Sequence, residues 1–207
     1  MLVQSERSIY LASRSPRRQE LLGQIGVKFG VMEIDVDESV LEGESPRAYV
    51  ERLARAKAEA GWRRVERDKL PPAPVLGADT TVAIDGRILG KPADPREAAE
   101  MLASLSGRLH EVLTALALKV GARLESATSV SEVRFKALSK QEIARYVATG
   151  EWQDKAGAYG IQGHAARFVA DLRGSFSGVV GLPLYETAQI LERMGHPAWL
   201  DRIGQRT

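Results

Sequence analysis

The centre of the chain, residues 75–89, reads VLGADTTVAIDGRIL. Two apolar and β-branched runs, Val75 to Ala78 and Thr80 to Ile84, predict an extended segment of the kind found inside a sheet. Asp85-Gly86 predicts a two-residue hairpin turn that leads into another short strand. Asp79 stands between the two runs, where both flanks have the character of buried strand. The segment therefore predicts a central hairpin with a carboxylate in its interior.

On both sides of this hairpin, short strand patterns alternate with longer helical patterns, which is typical of an α/β fold. Serine or aspartate caps, followed by proline or a reciprocal glutamate, mark several helix starts. The predicted strands are Ser8 to Ala12, Arg87 to Leu89, about Glu111 to Val120 and about Ala127 to Ala137. The predicted helices run from about Pro16 to Gly26, from Pro46 to about Glu66, from the Asp94 cap to near Gly107, from the Ser139 capping box to Gly150 and from about Leu184 to Gly195.

The composition is that of an ordinary globular protein, with 44% hydrophobic and 27% charged residues in 207 positions. The net charge of +2 is too small to indicate general nucleic-acid binding. The absence of cysteine excludes disulfides, cysteine-ligated zinc and thiol catalysis. No apolar run approaches the ~18 residues of a membrane span, and the N-terminus has no secretory pattern. These features predict a cytoplasmic protein without a membrane partner.

The helix predicted to begin at Pro16 has two arginines, Arg17 and Arg18, in its first turn. Cations are unfavourable there, because the free amides and the helix dipole favour anions by ~0.3 to 1 kcal/mol. Together with Ser13 and Ser15, the arginines are suited to bind a phosphate. The alternative, that both arginines extend into solvent or pair with an acid nearby, is somewhat favoured by the local sequence alone.

Three further residues are charged at positions that favour burial or a cleft. A buried Asp79 needs a cation, a metal or several hydrogen-bond donors, which favours a functional role over the capping of a β-bulge. Lys57 falls on the helix face that carries Val50 and Leu53, so its ammonium must extend to the rim or reach an anion. Lys91 ends a strand just before a proline and points either into a cleft or into solvent.

Acidic residues alternate in the stretch that contains Asp35, Asp37 and Glu38. Carboxylates of this kind can bind Mg²⁺ or Mn²⁺, although a solvated strand edge is the more common reason for such a pattern. The three histidines show no ligand spacing, and we interpret them as structural or surface residues: His110, His164 and His196.

Six motifs follow one another along the chain: Ala12 to Arg18, Gly77 to Thr80, Leu89 to Pro92, Leu105 to Val112, Asp154 to Gly163 and Val180 to Leu184. In this order they closely resemble the Maf family of nucleoside triphosphate pyrophosphatases. The stretch Lys155 to Gly163, which carries Gln162, is similar to that of the dTTP/UTP branch. The resemblance implies one domain over residues 1–207, in which helices flank a central mixed, twisted sheet. It also implies two lobes around a deep cleft, similar to the inosine triphosphatases.

The resemblance further implies hydrolysis between the α and β phosphates of dTTP and UTP in nucleotide-pool cleaning, with a divalent cation (Mg, Mn or Co). It assigns Asp79 as the proton acceptor and, with Glu38, as a metal ligand. The implied substrate-binding residues are Arg17, Arg18, Lys57, Thr80, Lys91 and Gln162, of which Arg17, Thr80 and Gln162 are linked to base specificity. The amide of Gln162 offers one donor and one acceptor, which complements the O4 and N3–H edge shared by uracil and thymine.

Alternatives remain open within this resemblance. One is hydrolysis of 7-methyl-GTP or another modified nucleotide, and another is a non-catalytic nucleotide-binding regulator of septation. The expected partner is a nucleoside triphosphate, with no stable nucleic-acid partner and a possible homodimer. Arg14 departs from the small or neutral residue expected between Ser13 and Ser15, so it either adds phosphate affinity or alters access to the site.

Overall fold

The computed structural model describes residues 9–196 and contains a seven-stranded sheet in the order β2-β1-β3-β5-β6-β7, with β4 paired to β3. The strands are β1 (Ile9–Ala12), β2 (Phe29–Val31), β3 (Val75–Ile84), β4 (Arg87–Leu89), β5 (Leu109–Val120), β6 (Arg123–Phe135) and β7 (Val169–Arg173). The helices are α1 (Pro16–Gln24), α2 (Pro46–Arg67), α3 (Pro95–Leu105), α4 (Lys140–Ala148), α5 (Phe176–Val180) and α6 (Leu184–Arg193), with two 3₁₀ segments at Ala156–Ala158 and His164–Phe168. Strand β1 pairs in parallel with β2 and β3, and the other pairs are antiparallel. The predicted α/β fold with a mixed sheet flanked by helices is confirmed.

Strand β3 has a gap in its pairing along one edge. On that edge Gly77 pairs with Ala12 at the end of β1, and pairing resumes only where Val82 meets β4. The residues between these two partners include Asp79 and Thr80. Along the other edge β3 pairs continuously with β5. The gap leaves the backbone in the middle of β3 without a strand partner on this edge, beside the segment that leads from β1 into α1.

Helix α2 packs unusually closely on β3 because of Gly77. A Cβ atom there would lie 2.3 Å from the Ala54 carbonyl oxygen and 2.5 Å from the Ala58 nitrogen. Those distances leave no room for a side chain, so glycine permits the contact. Since Lys57 lies between Ala54 and Ala58 on the same helix, the close approach directs it toward the β3 gap.

The two faces of the sheet bury different sets of side chains, because successive residues of a strand point to opposite faces. Ala83 packs with Val50 and Leu53 of α2, whereas Val82 packs with Leu22 of α1 in the larger cluster. Each fully buried aliphatic side chain contributes ~1.5 to 3 kcal/mol. Asp79 therefore lies on the α2 face and Thr80 on the α1 face.

Most predicted boundaries agree with the structure to within a few residues. Asp85 and Gly86 have φ of 51° and 74°, as the predicted hairpin turn requires. Ser139 and Glu142 form the predicted capping box. Ser8, the predicted start of the first strand, lies outside the described residues. Strands β2 and β7 were not predicted, because they are short and largely exposed and show no apolar alternation.

Within residues 9–196, none of the helices has the length and apolar character needed to cross a membrane.

Candidate active site

Lys57 joins two carboxylates at the β3 gap. Its Nζ lies 2.6 Å from Asp79 Oδ1 and 2.6 Å from Glu38 Oε1. Lys91 Nζ lies 3.5 Å from Glu38 Oε2. Lys57 and Asp79 are buried, while Glu38 and Lys91 are exposed. We call Glu38, Lys57 and Asp79 the carboxylate–lysine cluster; its buried end lies on β3 and its open end faces solvent.

The two carboxylates of this cluster differ in basicity. Burial raises the pKa of the Asp79 carboxyl above its ordinary value, and the charges of Lys57 and Arg18 only oppose that shift. For Glu38, burial favours a higher pKa, but the hydrogen bond and charge of Lys57, together with those of Lys91, have the larger combined effect. The pKa of Glu38 is therefore lowered. Asp79 is therefore the stronger base of the two.

Tyr49 fixes the loop that carries Glu38. Its hydroxyl donates a hydrogen bond to the Glu38 carbonyl oxygen at 3.0 Å. Burial, followed by the charges of Asp79 and Glu38, raises the pKa of Tyr49 to about 12, so the hydroxyl keeps its proton. Arg52 binds the same loop through the Ser39 carbonyl and the Glu44 carboxylate. Helix α2 thus positions Glu38 as well as Lys57.

On the other face of β3, the Arg18 guanidinium lies in a neutral hydrogen-bond network. Its Nε donates to the Gly181 carbonyl at 2.9 Å, Nη1 to Ser13 Oγ at 3.1 Å and Nη2 to Thr80 Oγ1 at 3.2 Å. Thr80 Oγ1 lies 2.9 Å from Thr114 Oγ1. Burial lowers the pKa of Arg18, and the Asp79 charge opposes this. We call Arg18, Thr80 and Thr114 the hydroxyl network.

The remaining arginines of the α1 start lie apart from the network. Arg14 binds Asp35 at 2.9 Å and Glu33 at 3.5 Å, and these side chains are exposed. Arg17 is half-buried, and its charge contributes, after burial, to a lowered pKa of Lys155. Besides burial, the charge of Arg17 also contributes to the lowered pKa of Arg18.

Of the three acids considered for a metal, only Glu38 enters the cluster. Asp35 pairs with Arg14, and Asp37 accepts a hydrogen bond from the Ser39 amide at 2.9 Å within its own loop. In the described part of the chain, no group of three or more His, Cys, Asp or Glu side chains could hold a metal ion. The protein ligands available to a cation at this site are thus Glu38 and Asp79, and Lys57 lies between them.

Gln162 is exposed on the turn between the two 3₁₀ segments, and within residues 9–196 its amide makes no hydrogen bond. The turn is held from one side by Glu151, which accepts a hydrogen bond from the His164 amide at 2.8 Å and contacts the His164 ring. The segment before it is joined to the β4 end, where the Gly157 amide donates to the Gly90 carbonyl at 3.1 Å. Gln162 and Lys91 therefore belong to adjoining segments.

The histidines have structural and surface positions, as predicted. Buried His110 makes a 2.8 Å hydrogen bond with the Tyr159 hydroxyl, and burial lowers its pKa to about 4. Its ring also packs edge-on against Phe135. His164 is exposed apart from its contact with Glu151, and His196 lies at the end of α6.

A family model described as Maf-like protein matches residues 8–194. The chain belongs to the Maf family. The dTTP/UTP pyrophosphatase of Aromatoleum aromaticum is 58% identical over 91% of this chain and 96% of that protein. Those of Nitrosospira multiformis and Chromobacterium violaceum are 56% and 53% identical, over 90% and 92% of this chain and 94% and 96% of those proteins. Among solved structures, the Staphylococcus aureus Ham1 protein matches 61% of this chain and 71% of its own, with 15% identity and a TM-score of 0.44.

Some residues that contact the cluster or the hydroxyl network have no distinct signal in the sequence. Tyr49 has the pattern of an ordinary helix residue. Thr114 shows the same pattern as Asp79, a polar side chain within a buried strand, but it carries no charge that would require a partner. Gly181 contributes through its carbonyl oxygen, which no side-chain pattern reports.

Proposed function

We propose that this chain hydrolyses dTTP and UTP to the nucleoside monophosphate and pyrophosphate. The observation that carries the proposal is the buried Asp79, in contact with Lys57 at the one gap in the pairing of β3. Buried carboxylates with raised pKa values are typical of catalytic bases. Three relatives that match 90–92% of this chain are dTTP/UTP pyrophosphatases.

In the proposed reaction, Asp79 accepts a proton from water. The oxygen of that water forms a bond to the α phosphorus. The bond from the α phosphorus to the bridging oxygen breaks, and pyrophosphate leaves with that bond's electron pair. Lys57 fixes the Asp79 carboxylate and places a positive charge where negative charge develops on the phosphates. Lys91 adds a second cation at the open end.

The proposal includes a divalent cation at the cluster, where Glu38 and Asp79 are the two carboxylates and Lys57 lies between them. Two carboxylates are the kind of donor set that Mg²⁺ and Mn²⁺ accept when substrate phosphates supply further oxygens. In our proposal Glu38 and Asp79 hold the cation, which is Mg, Mn or Co. When bound, it supplies charge neutralisation for the triphosphate.

The proposed substrate contacts divide between phosphates and base. Arg18 and Lys91 bind the phosphates, since Arg18 is already oriented by its hydrogen bonds. Gln162 reads the uracil or thymine edge, because its amide donates to O4 and accepts from N3–H. Arg17 and Thr80 complete base recognition.

We propose that this activity serves nucleotide-pool cleaning in the cytoplasm and that one domain over residues 1–207 carries it out, either alone or as a homodimer. No nucleic-acid partner is part of the proposal, because the net charge is only +2.

A panel of nucleoside triphosphates tests the proposal. Purified protein is incubated with each common nucleoside triphosphate and with 7-methyl-GTP, in Mg²⁺, Mn²⁺ or Co²⁺, and pyrophosphate is measured. We expect release from dTTP and UTP and little from dCTP, whose donor and acceptor are reversed on the edge that Gln162 reads. Release from 7-methyl-GTP alone would favour the alternative substrate, and no release from dTTP or UTP with any cation would reject the proposal.

A further inference from the structure

Thr114 lies at the buried centre of β5, directly opposite Thr80 in the register of the two strands. Its hydroxyl lies 2.7 Å from the Gly178 carbonyl oxygen and 2.9 Å from Thr80 Oγ1. Among the described residues 9–196, its hydroxyl makes no hydrogen bond to Asp79 or Lys57. It is connected to Arg18 through Thr80 and also, by its bond to Gly178, through the end of α5 that leads to the Gly181 carbonyl.

The hydrogen bonds of Thr114 have a single possible direction. A hydroxyl has one proton, and a carbonyl oxygen can only accept, so the Thr114 proton is committed to Gly178. Thr80 must then donate its own proton to Thr114. The Thr80 oxygen is left as an acceptor, and the Nη2 of Arg18 donates to it at 3.2 Å. The order of donation runs from Arg18 to Thr80, to Thr114 and to Gly178.

This direction determines what the site can offer a ligand. Thr80 has no proton to donate, so its oxygen can only accept from a substrate group. Arg18 uses three of its N–H groups on Gly181, Ser13 and Thr80. A guanidinium carries five N–H donors, which leaves about two in a fixed orientation for a phosphate.

We propose that Thr114 is a positioning residue for substrate binding, which sets the hydrogen-bond direction of Thr80 and thereby the orientation of Arg18. The inference rests on the proposed function, because it names how that same site holds its triphosphate. Since the carboxylate–lysine cluster lies on the opposite face of β3, loss of the Thr114 hydroxyl acts on binding and leaves the chemical step in place.

The chain offers a matched control in Thr187. This residue is also fully buried, and its hydroxyl donates to the Pro183 carbonyl at 2.7 Å in α6. Thr114→Val and Thr187→Val both remove one buried hydroxyl bound to a backbone carbonyl. Thr114→Ser keeps the hydroxyl and removes only a methyl group.

The experiment compares these three variants with the unaltered chain in steady-state hydrolysis of dTTP and in exchange of the Arg18 Nε–H proton, followed by NMR. Arg18→Lys assigns the Nε–H signal. We expect Thr114→Val to raise KM about fivefold to tenfold, with kcat within about twofold, and to speed Arg18 exchange by a similar factor. Thr114→Ser and Thr187→Val should leave both quantities within about twofold.

The inference is overturned if Thr114→Val and Thr187→Val change KM or the exchange rate alike, or if Thr114→Ser behaves like Thr114→Val. It is also overturned if Thr114→Val lowers kcat while KM stays constant. If the unaltered chain hydrolyses neither dTTP nor UTP, the proposed function is wrong, and the Arg18 exchange rate alone then decides the inference.

Discussion

The two faces of β3 differ in how they satisfy a buried charge. On the α2 face, Asp79 meets the Lys57 ammonium at 2.6 Å, so charge is balanced by charge. On the α1 face, the Arg18 guanidinium meets two hydroxyls and a carbonyl, all of them neutral. Arg18 has no carboxylate as a hydrogen-bond partner, so its remaining N–H groups can bind an anion, whereas the paired Asp79 carboxylate is held in place and made more basic by burial. In the proposed function, this difference assigns the chemical step to Asp79 on the α2 face and part of the phosphate binding to Arg18 on the α1 face.

Among the variants that test the two faces, Asp79→Asn should have the largest effect on activity. The amide cannot accept a proton from water, so kcat should fall about 10² to 10⁴-fold, while the binding face stays intact. Hydrolysis of dTTP is measured beside Asp35→Asn, an exposed carboxylate paired with Arg14 that should change activity little. Equal activity of both variants would contradict the assignment. If a septation phenotype of the gene survives Asp79→Asn while turnover is lost, the regulator alternative gains support instead.

Gly77→Ala tests whether close packing of α2 on β3 holds the charged face together. The added Cβ would lie 2.3 Å from the Ala54 carbonyl oxygen, so we expect a loss of ~1 to 3 kcal/mol in the free energy of unfolding. The control is Gly23→Ala in α1, where a Cβ meets nothing within 4 Å and the helix should gain ~0.5 to 1 kcal/mol. Urea unfolding measures both. An unchanged stability of Gly77→Ala would show that α2 can shift without cost.

The acidic limb of the pH–rate profile should respond to changes on the α2 face of β3 but not to changes on the α1 face. A base must be deprotonated to act, so kcat/KM falls as pH drops through the raised pKa of Asp79. Lys57→Gln removes a charge that opposes this rise and should move the limb upward by about one pH unit or more. Thr114→Val should leave the limb in place. A limb that does not move in Lys57→Gln would argue against Asp79 as the titrating base.

Glu151→Gln should have the smallest effect, because it acts on the turn that presents Gln162 rather than on either face of β3. Loss of the carboxylate weakens the contacts to the His164 amide and ring, and KM for dTTP should rise about twofold to fivefold. Glu125→Gln is the matched control. Glu125 lies on β6, is similarly half-buried, and binds Arg123 of the same strand and Arg193 of α6. A greater rise in KM for Glu125→Gln than for Glu151→Gln would contradict a role of the turn in substrate binding.

Much of the charged face could be predicted from the sequence, because buried charge is conspicuous. Asp79 interrupts a buried strand, and Lys57 falls on an apolar helix face, so each residue alone indicates a partner. In the hydroxyl network, Arg18 and Thr80 are named by the family resemblance, but their hydrogen bonds and the part of Thr114 could not be predicted in the same way. Thr114 is compatible with any strand, and the Gly181 carbonyl has no signature in the sequence. The direction of the hydrogen bonds depends on which atoms meet across the fold, as does the pairing of Arg14 with Asp35.

The short strands β2 and β7 illustrate a related limit. Their side chains are mostly exposed, so no apolar alternation marks them, and they form because β1 and β6 offer edges to pair with. Local pattern predicts elements that bury their own side chains. Strands that form only because a neighbouring strand offers a free edge can be recognised only once the tertiary structure is known.

The central claim is that the chemical step depends on Asp79 of the α2 face, whereas Thr80 of the α1 face takes part in substrate binding, and kcat and KM for dTTP in two variants test it directly. Asp79→Asn and Thr80→Val change adjacent residues that face opposite sides of one strand. We expect Asp79→Asn to lower kcat at least about 100-fold with KM within about threefold, and Thr80→Val to raise KM about fivefold or more with kcat within about threefold. Two variants that lower kcat by the same factor, with KM unchanged in both, would contradict this division of roles.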